Sequence, residues 1–162
     1  MISYKISAED YVSALKLHHT PTRKAAVLLA ILFLVFLVTA IFSYTSVLKG
    51  LSIGAILGGV ITFFLSRFVF IPFIGRRDYN AYKLMQQDHR VDIVDEGLIF
   101  STASGSGNLL WDKIYKWRQS DDYILIYPMP RLYYIVPKRL EQDGFDIQKL
   151  VEKLNSCVGK RQ

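Results

Sequence analysis

The longest apolar stretch of the chain covers residues 25–74, and only the charges of Lys49 and Arg67 interrupt it. Its first part, residues 25–44, contains twenty residues without a charge. At about 1.5 Å per residue, a helix of that length spans about 30 Å, the thickness of the hydrocarbon core of a bilayer. The second part, residues 51–74, is apolar apart from Arg67. Because backbone groups inside a bilayer need hydrogen bonds within their own segment, the pattern predicts a transmembrane helical hairpin.

The residues before the hairpin show a strand pattern and then a helix start. Apolar and polar side chains alternate from Ile2 to Ile6, as in a short strand. Ser7 and Asp10 follow. A serine side chain can accept hydrogen bonds from first-turn amides, and the helix dipole favours an acidic residue there. Residues 1–24 are therefore predicted to form an N-terminal strand and an amphipathic helix.

Short strands dominate the sequence after the hairpin. Residues 76–88 lack helix breakers, so residues 75–90 are predicted to continue the second membrane helix as a juxtamembrane extension. From residue 91 the periodicity becomes that of strands separated by turns. The glycines and serines of residues 104–108 are expected to form a flexible connection. The predicted strands occupy residues 91–93, 98–102, 109–111, 114–119, 123–127 and 132–137.

The last predicted element is a helix over residues 145–157, whose apolar side chains lie on one side. About six short strands and one such helix are typical of a pleckstrin-homology-like (PH-like) barrel capped at one open end. The predicted fold class is therefore an α+β membrane protein. The hairpin (25–74) is inserted between the N-terminal strand and helix (1–24) and a cytoplasmic, PH-like antiparallel β domain (91–162) with its C-terminal helix.

Positive charges flank the predicted hairpin on both sides. Lys16, Arg23 and Lys24 precede it, whereas its predicted turn, residues 44–51, contains only Lys49. Lysines and arginines accumulate on the cytoplasmic side of membrane proteins, so both termini are predicted to be cytoplasmic. The cationic residues after the hairpin agree with this orientation; they are Arg76, Arg77, Lys83 and Arg90.

The formal net charge of +6 fits a chain with basic residues beside anionic headgroups, where each contributes about 1 kcal/mol. Nucleic acid explains the charge less well, and no nucleic-acid partner is predicted. Cys157 is the only cysteine, so no internal disulfide can form.

Several short motifs occur in an order that resembles bacterial YcxB-like membrane proteins. They are Ser7-Ala8-Glu9-Asp10-Tyr11, Asp95-Glu96-Gly97-Leu98, Trp111-Asp112-Lys113-Ile114, Asp121-Asp122-Tyr123 and Ile135-Val136-Pro137-Lys138-Arg139. The resemblance implies a bacterial inner-membrane position and an N-terminal strand that joins the C-terminal sheet, with the hairpin as an insertion. It implies no catalytic residue, cofactor or substrate.

The residues themselves also argue against an enzyme. Asp95 and Glu96 precede a glycine and are typical of a hairpin turn rather than of a general acid and base. The adjacent His18 and His19 have no further ligands at metal-binding spacing. The glycine-serine run of residues 104–107 lacks the lysine and the following helix of a phosphate loop. No catalytic, cofactor or metal site is predicted.

Two features of the second membrane helix are candidate partner sites. An arginine at membrane depth costs roughly 2.5 to 3.5 kcal/mol, so Arg67 either reaches the headgroups because the helix ends near residues 71–72, or pairs with an anionic group of a partner. Gly50, Gly54 and Gly58 share a face at four-residue spacing, which lets helix backbones approach closely. This face is expected to pack against the first helix or to form a homodimer.

Four basic residues outside the hairpin are candidates for contact with anionic lipid or with a partner. They are Arg76, Arg77, Lys138 and Arg139. A solvated basic face is the alternative interpretation.

Three aromatic residues of the β domain are candidates for an exposed partner surface, namely Trp117, Tyr123 and Tyr133. Strand alternation should bury about half of the aromatic residues, and Trp111 is expected in the core.

The predicted function is that of a non-enzymatic binding module anchored in the inner membrane, which contacts a protein partner in or under the bilayer. One specific version is an immunity protein that neutralises a membrane-targeted bacterial toxin. The alternative is a regulator whose PH-like domain binds anionic lipid headgroups. Membrane lipid, a protein partner and a second copy of the chain are the expected partners.

Overall fold

The structure, a computed structural model, describes residues 1–159 and contains two units. One unit is formed by residues 1–18 with the chain from residue 74 onward, and the other by residues 19–73. In chain order the elements are β1 (Ile2–Lys5), α1 (Ala8–His18), α2 (Arg23–Phe42), α3 (Ser46–Leu65), α4 (Ile71–Ala81), β2 (Asp88–Val94), β3 (Gly97–Thr102), β4 (Gly105–Leu110), β5 (Lys116–Gln119), β6 (Tyr123–Met129), β7 (Leu132–Pro137) and α5 (Ile147–Cys157). A π-helical turn (Ser66–Phe70) joins α3 to α4, and 3-10 turns occupy Lys83–Gln86, Trp111–Lys113 and Lys138–Glu141.

The unit of residues 19–73 is a helical hairpin with a shorter turn than predicted. Thr22 caps α2, since its hydroxyl accepts from the amide of Ala25. Thr45 has an extended backbone, and α3 begins directly after it. Lys49 donates its amide to the carbonyl of Thr45, so it lies in the first turn of α3 rather than in a loop. A single glycine at position 50 does not prevent this helix from starting early.

The second helical segment continues through Pro72, and the expectation that it ends near residues 71–72 is wrong. The helical run extends over Ser46–Ala81. A proline has no amide hydrogen and its ring collides with the carbonyl four residues earlier. Here the π-helical turn precedes the proline, and the amide of Ile71 donates to the carbonyl of Ser66 instead. The wider turn accommodates Pro72 without ending the helix.

Both helical segments of the hairpin are long and apolar enough to cross a membrane. They expose large apolar side chains along their length, among them Leu28, Phe42, Phe63 and Phe68. A polar contact joins the two helices. The hydroxyls of Thr39 in α2 and Ser52 in α3 lie 2.8 Å apart, and Ser52 is buried.

The other unit contains two antiparallel sheets. The first has the strand order β1-β2-β3-β4 and the second β5-β6-β7. Strand β1 pairs with β2 in a register that places Ile2 opposite Val91 and Lys5 opposite Asp88. The N-terminal strand therefore joins the sheet that follows the hairpin in sequence, as the resemblance implies.

Strand β4 includes residues 105–108 of the predicted flexible connection, so that expectation is wrong for all but Ser104, which lies in the turn before the strand. Gly107 pairs with Phe100 of β3, and Gly105 pairs with Thr102. Glycine weakens a strand but does not forbid one when a neighbouring strand supplies the hydrogen bonds. A side chain at Gly97, at the other end of this ladder, would collide with the backbone carbonyl of Leu109.

The core lies between the sheets and under α1 and α5. The segment from Ile124 to Tyr127 in β6 is fully buried, because one face of the second sheet meets the core and the other meets α1. Trp111 is buried in the core as predicted, with its indole nitrogen donating to the carbonyl of Asp95. Helix α5 contributes Leu150 and Leu154.

Helix α1 starts with the predicted pair of residues. The amide of Asp10 donates to the hydroxyl of Ser7 at 3.1 Å, and the amide of Ser7 donates to the Asp10 carboxylate at 2.8 Å. This reciprocal arrangement is a capping box in which aspartate replaces glutamate.

Candidate functional site

A cleft of about 310 Å³ opens in the folded unit between strands of the two sheets. Its walls include β4 and β7, which are edge strands of their sheets. The lining side chains are mostly apolar and aromatic. They belong to Tyr4, Ile6, Leu84, Met85, His89, Phe100, Thr102, Leu132, Tyr133, Tyr134 and Ile135, and the backbones of Gly105 and Gly107 complete the lining.

Two glycines of β4 keep the cleft open. A Cβ atom built at Gly105 or Gly107 would meet no atom within 4 Å. Glycine inside a strand often marks a place where another molecule or backbone approaches closely. The ring of Phe100, opposite Gly107, stacks on Tyr134 with 4.1 Å between centroids and an angle of 7°. This stack connects β3 of the first sheet to β7 of the second.

Two polar side chains of the cleft, Tyr4 and His89, contact backbone carbonyls of the protein. The Tyr4 hydroxyl donates to the carbonyl of Ile135 at 2.9 Å, and burial raises the pKa of Tyr4 far above its usual range. Burial lowers the pKa of His89, whose ring nitrogen lies 3.4 Å from the carbonyl of Met85. Both side chains are therefore neutral near pH 7, and the cleft suits an apolar group.

A second cluster surrounds the carboxylate of Asp10. Arg139 donates to both of its oxygens at 2.7 Å, and the Tyr123 hydroxyl donates to one at 2.7 Å. Burial alone would raise the pKa of Asp10, but the hydrogen bonds from Arg139, Ser7 and Tyr123 outweigh it and hold this pKa well below its usual range. Burial and the bond to Asp10 raise the pKa of Tyr123 to about 12. The cluster fastens α1 to the second sheet.

Three of the four residues of the predicted basic surface form ion pairs with carboxylates of the protein. Arg139 bonds to Asp10 and to the Lys5 carbonyl, but its side chain is 46% exposed, so its contact with lipid or a partner stays a prediction. Arg76 pairs with Glu9 at 2.7 Å, and Arg77 contacts Asp78 at 3.2 Å. Lys138 is half-buried, and its amide donates to the carbonyl of Asp122.

The three aromatic candidates have different positions. Trp117 is 2% exposed and donates from its indole to the carbonyl of Gly159, so its assignment to an exposed partner surface is wrong. Tyr123 is half-buried and engaged with Asp10. Tyr133 lines the cleft and stacks on His18 with 5.1 Å between the ring centroids.

The neighbour of Trp117 explains why alternation fails in β5. Arg118 is also buried, because its guanidinium donates to the carbonyls of Leu17 and His18 at the C-terminal end of α1. A cation at this end of a helix satisfies terminal carbonyls and complements the helix dipole. Both faces of β5 are therefore covered.

The glycine stripe of the hairpin does not pack against the first helix. Gly50, Gly54 and Gly58 are exposed, and a Cβ atom at each would meet no atom within 4 Å. The expectation of packing against α2 is wrong, and a homodimer across this face stays a prediction. Arg67 is half-buried and lines a separate cavity inside the hairpin unit.

The sequence interpretation missed the cleft, although a signal was present. Gly105 and Gly107 alternate with polar residues at strand spacing, a pattern typical of a strand with one bare face. The contribution of Tyr4 and His89 depends on the pairing of β1 with β2, which a local pattern cannot reveal. Among residues 1–159, no group of three or more His, Cys, Asp or Glu side chains is placed to hold a metal ion.

Comparison with known families identifies one segment of the chain. The family model described as YcxB-like protein matches residues 94–154, from the end of β2 into α5. The match confirms the resemblance inferred from the motifs of this segment. No curated protein and no solved structure matches the chain.

Proposed function

We propose that this chain, which carries a YcxB-like domain at residues 94–154, is a non-enzymatic, two-pass protein of the bacterial inner membrane. Its folded unit binds an apolar segment of a protein partner on the cytoplasmic side. The observation that carries the proposal is the open aromatic cleft between edge strands β4 and β7.

Membrane insertion is supported by the surface of the hairpin. Side chains such as Leu28, Phe42 and Phe63 are more than 45% exposed along both helices. Water-exposed apolar surface of that extent is rare in soluble monomers. A bilayer would cover it, and the helices satisfy their own backbone groups.

The sheet topology supports an orientation with both termini on one side. Strands β1 and β2 precede and follow the hairpin and hydrogen-bond to each other, so both ends of the hairpin connect to the same folded unit. Two crossings return the chain to the side from which it started. The basic residues around residues 16–24 and 76–90 favour the cytoplasmic side.

A PH-like fold is supported by the arrangement of the folded unit. In the described part of this unit, residues 1–18 and 74–159, seven strands form one sheet of four and one of three, and the amphipathic helix α5 follows the last strand. Folds of this kind bind peptides through sheet edges, where an extended segment adds main-chain hydrogen bonds and side-chain pockets give specificity. The cleft offers such pockets beside two edge strands.

Protein is preferred over lipid as the partner of the folded unit. Arg76, Arg77 and Arg139 each contact a carboxylate, which reduces the positive charge that they present to anionic headgroups. The cleft is apolar and contains neutral polar groups. A membrane-targeted toxin is one class of partner that would meet the domain at this position, and the domain would then act as an immunity protein.

Matched substitutions in β4 test the cleft. Gly107→Val fills it with a β-branched side chain that suits a strand, and no atom within 4 Å opposes the added Cβ. Ser106→Val adds the same side chain one position away, on the opposite face of the strand. The full-length protein and both variants are captured from native membranes in mild detergent, and companions are quantified by mass spectrometry.

A stoichiometric companion that Gly107→Val loses by about tenfold or more, and Ser106→Val retains, would support the proposal. If both variants retain the companion equally, the cleft is not its binding site. Suppose instead that charge reversal at Arg76 and Arg77 abolishes capture of the companion, while Gly107→Val captures it as the wild type does. That result would favour the lipid-binding regulator.

A further inference from the structure

The hairpin unit contains a cavity of about 440 Å³ that is separate from the cleft. One part of its wall is polar and comes from His19, Thr20, Ser66 and Arg67. Another part is apolar and includes Leu29 and Phe63. The polar part of the wall would match the headgroup of a lipid molecule, and the apolar part would match its hydrocarbon chains.

The π-helical turn contributes Ser66 and Arg67 to the polar part of the wall. Ser66 and Arg67 are adjacent and both half-buried, whereas Phe64 and Phe68 beside them are exposed. A π turn contains one residue more than a regular turn and frequently occurs at functional sites. The π turn precedes Pro72, and its first two residues, Ser66 and Arg67, both line the cavity.

The charges of the hairpin unit favour an anionic ligand. Residues 19–73 contain Arg23, Lys24, Lys49 and Arg67, and no aspartate or glutamate. A guanidinium presents five N–H donors in a planar fork, which matches the oxygens of a phosphate group. Ser66 can donate one further hydrogen bond from its hydroxyl.

We infer that this cavity binds the phosphate headgroup of an anionic phospholipid, with Arg67 and Ser66 on the phosphate and the hydrocarbon part along Leu29 and Phe63. The inference rests on the membrane insertion proposed above, and on no property of the cleft. A free phosphate ion has the same headgroup chemistry but would leave the apolar wall uncovered, which is why the lipid is the favoured source.

The test uses the full-length protein in mild detergent, titrated with phosphatidylglycerol and observed by native mass spectrometry. Arg67→Gln removes the cation but keeps a polar side chain, and it should weaken lipid binding by about tenfold or more. Arg67→Lys keeps the charge but loses the planar fork, and it should bind with intermediate affinity. Lys49→Gln removes a cation near the start of α3, outside the cavity lining, and should bind like the wild type.

Two further ligands separate the possible sources. Phosphatidylcholine carries a phosphate without net negative charge and should bind more weakly than phosphatidylglycerol. Inorganic phosphate should not displace the lipid at millimolar concentration. Displacement by inorganic phosphate would overturn the lipid assignment, and equal weakening by Arg67→Gln and Lys49→Gln would overturn the site in favour of general charge attraction.

Failure of the site and failure of the proposed function give different results. Extraction of native membranes with alkaline carbonate releases peripheral proteins and retains integral ones. A protein that is retained but binds no phosphatidylglycerol would overturn this inference alone. Release into the carbonate wash would overturn the proposed membrane insertion. If Arg67→Gln elutes as an aggregate, the affinity of Arg67→Lys for phosphatidylglycerol is compared with that of the wild type. Weaker binding by Arg67→Lys would support the site, and equal binding would overturn it.

Discussion

Arg139 and Asp10 form a two-point ion pair, in which two guanidinium nitrogens each lie 2.7 Å from a carboxylate oxygen. The pair joins the first turn of α1 to the residues that follow β7. Asp10 also completes the capping box with Ser7 and accepts from the hydroxyl of Tyr123. One buried carboxylate therefore holds three segments of the folded unit together.

Asp10→Asn should destabilise the folded unit by about 2 kcal/mol. Breaking a buried ion pair typically costs 3 to 5 kcal/mol, but Arg139 is 46% exposed and water can solvate it in the variant. The measurement is chemical unfolding of the full-length protein in detergent, followed by tryptophan fluorescence. Glu9→Gln breaks the exposed pair with Arg76 and should change the free energy of unfolding by less than about 0.5 kcal/mol. Equal effects of the two variants would contradict the role of Asp10.

Acid should weaken the folded unit through the same carboxylate. The pKa of Asp10 in the folded state lies below its unfolded value of 3.8. The unfolded state therefore binds the proton more readily, and the stability from this group is present above about pH 4 and decreases as the pH falls further. Thermal unfolding between pH 7 and pH 3 should show this decrease. The unfolding temperature of Asp10→Asn should decrease less over the same pH range. An equal decrease in both proteins would show that other groups cause the acid sensitivity.

Alanine substitutions at two glycines of the first sheet should change the stability by very different amounts. In Gly97→Ala the new methyl group meets the backbone carbonyl of Leu109, which no side-chain rotation can relieve. The expected loss of stability is about 2 kcal/mol or more. Gly107→Ala places the methyl group in open space, and its stability should stay within about 0.5 kcal/mol of the wild type. Thermal unfolding of both variants checks the difference, and a stable Gly97→Ala protein would contradict the packing of β3 against β4.

The hydroxyl contact inside the hairpin should contribute modestly. Thr39 and Ser52 lie 2.8 Å apart between α2 and α3. Hydrogen bonds between membrane helices average about 0.6 kcal/mol in double-mutant cycles. A cycle with Thr39→Val and Ser52→Ala, measured by unfolding in detergent micelles, should give a coupling energy of that size. Simple additivity of the two substitutions would show that the contact adds nothing to the hairpin.

Local patterns predicted the elements whose causes lie within a few residues. Ser7 and Asp10 are three positions apart and cap α1 through their own side chains. The apolar length of α2 is likewise a local property. The burial of Trp117 is not, because its indole bonds to the carbonyl of Gly159, 42 positions away in sequence. Arg118, on the opposite face of β5, bonds to carbonyls of α1 that are about 100 positions away.

The same limit explains the errors in β4 and in the hairpin. Gly105 and Gly107 have low strand propensity, and pairing with β3 overrides it. Pro72 predicts a helix end, and the π-helical turn before it removes the conflict. The cleft required β1, β3, β4 and β7 to be placed together, so the sequence supplied only the glycine signal for it.

The pairing of β1 with β2 imposes an order on biosynthesis. A ribosome releases Ile2 and Tyr4 first, but their partners Val91 and His89 do not exist until the whole hairpin has been translated. During that interval β1 has no sheet to join, while both apolar helices are already complete. In the proposed membrane protein, insertion would therefore precede completion of the folded unit, and a chain that fails to insert would present β1 and the hairpin to chaperones and proteases together.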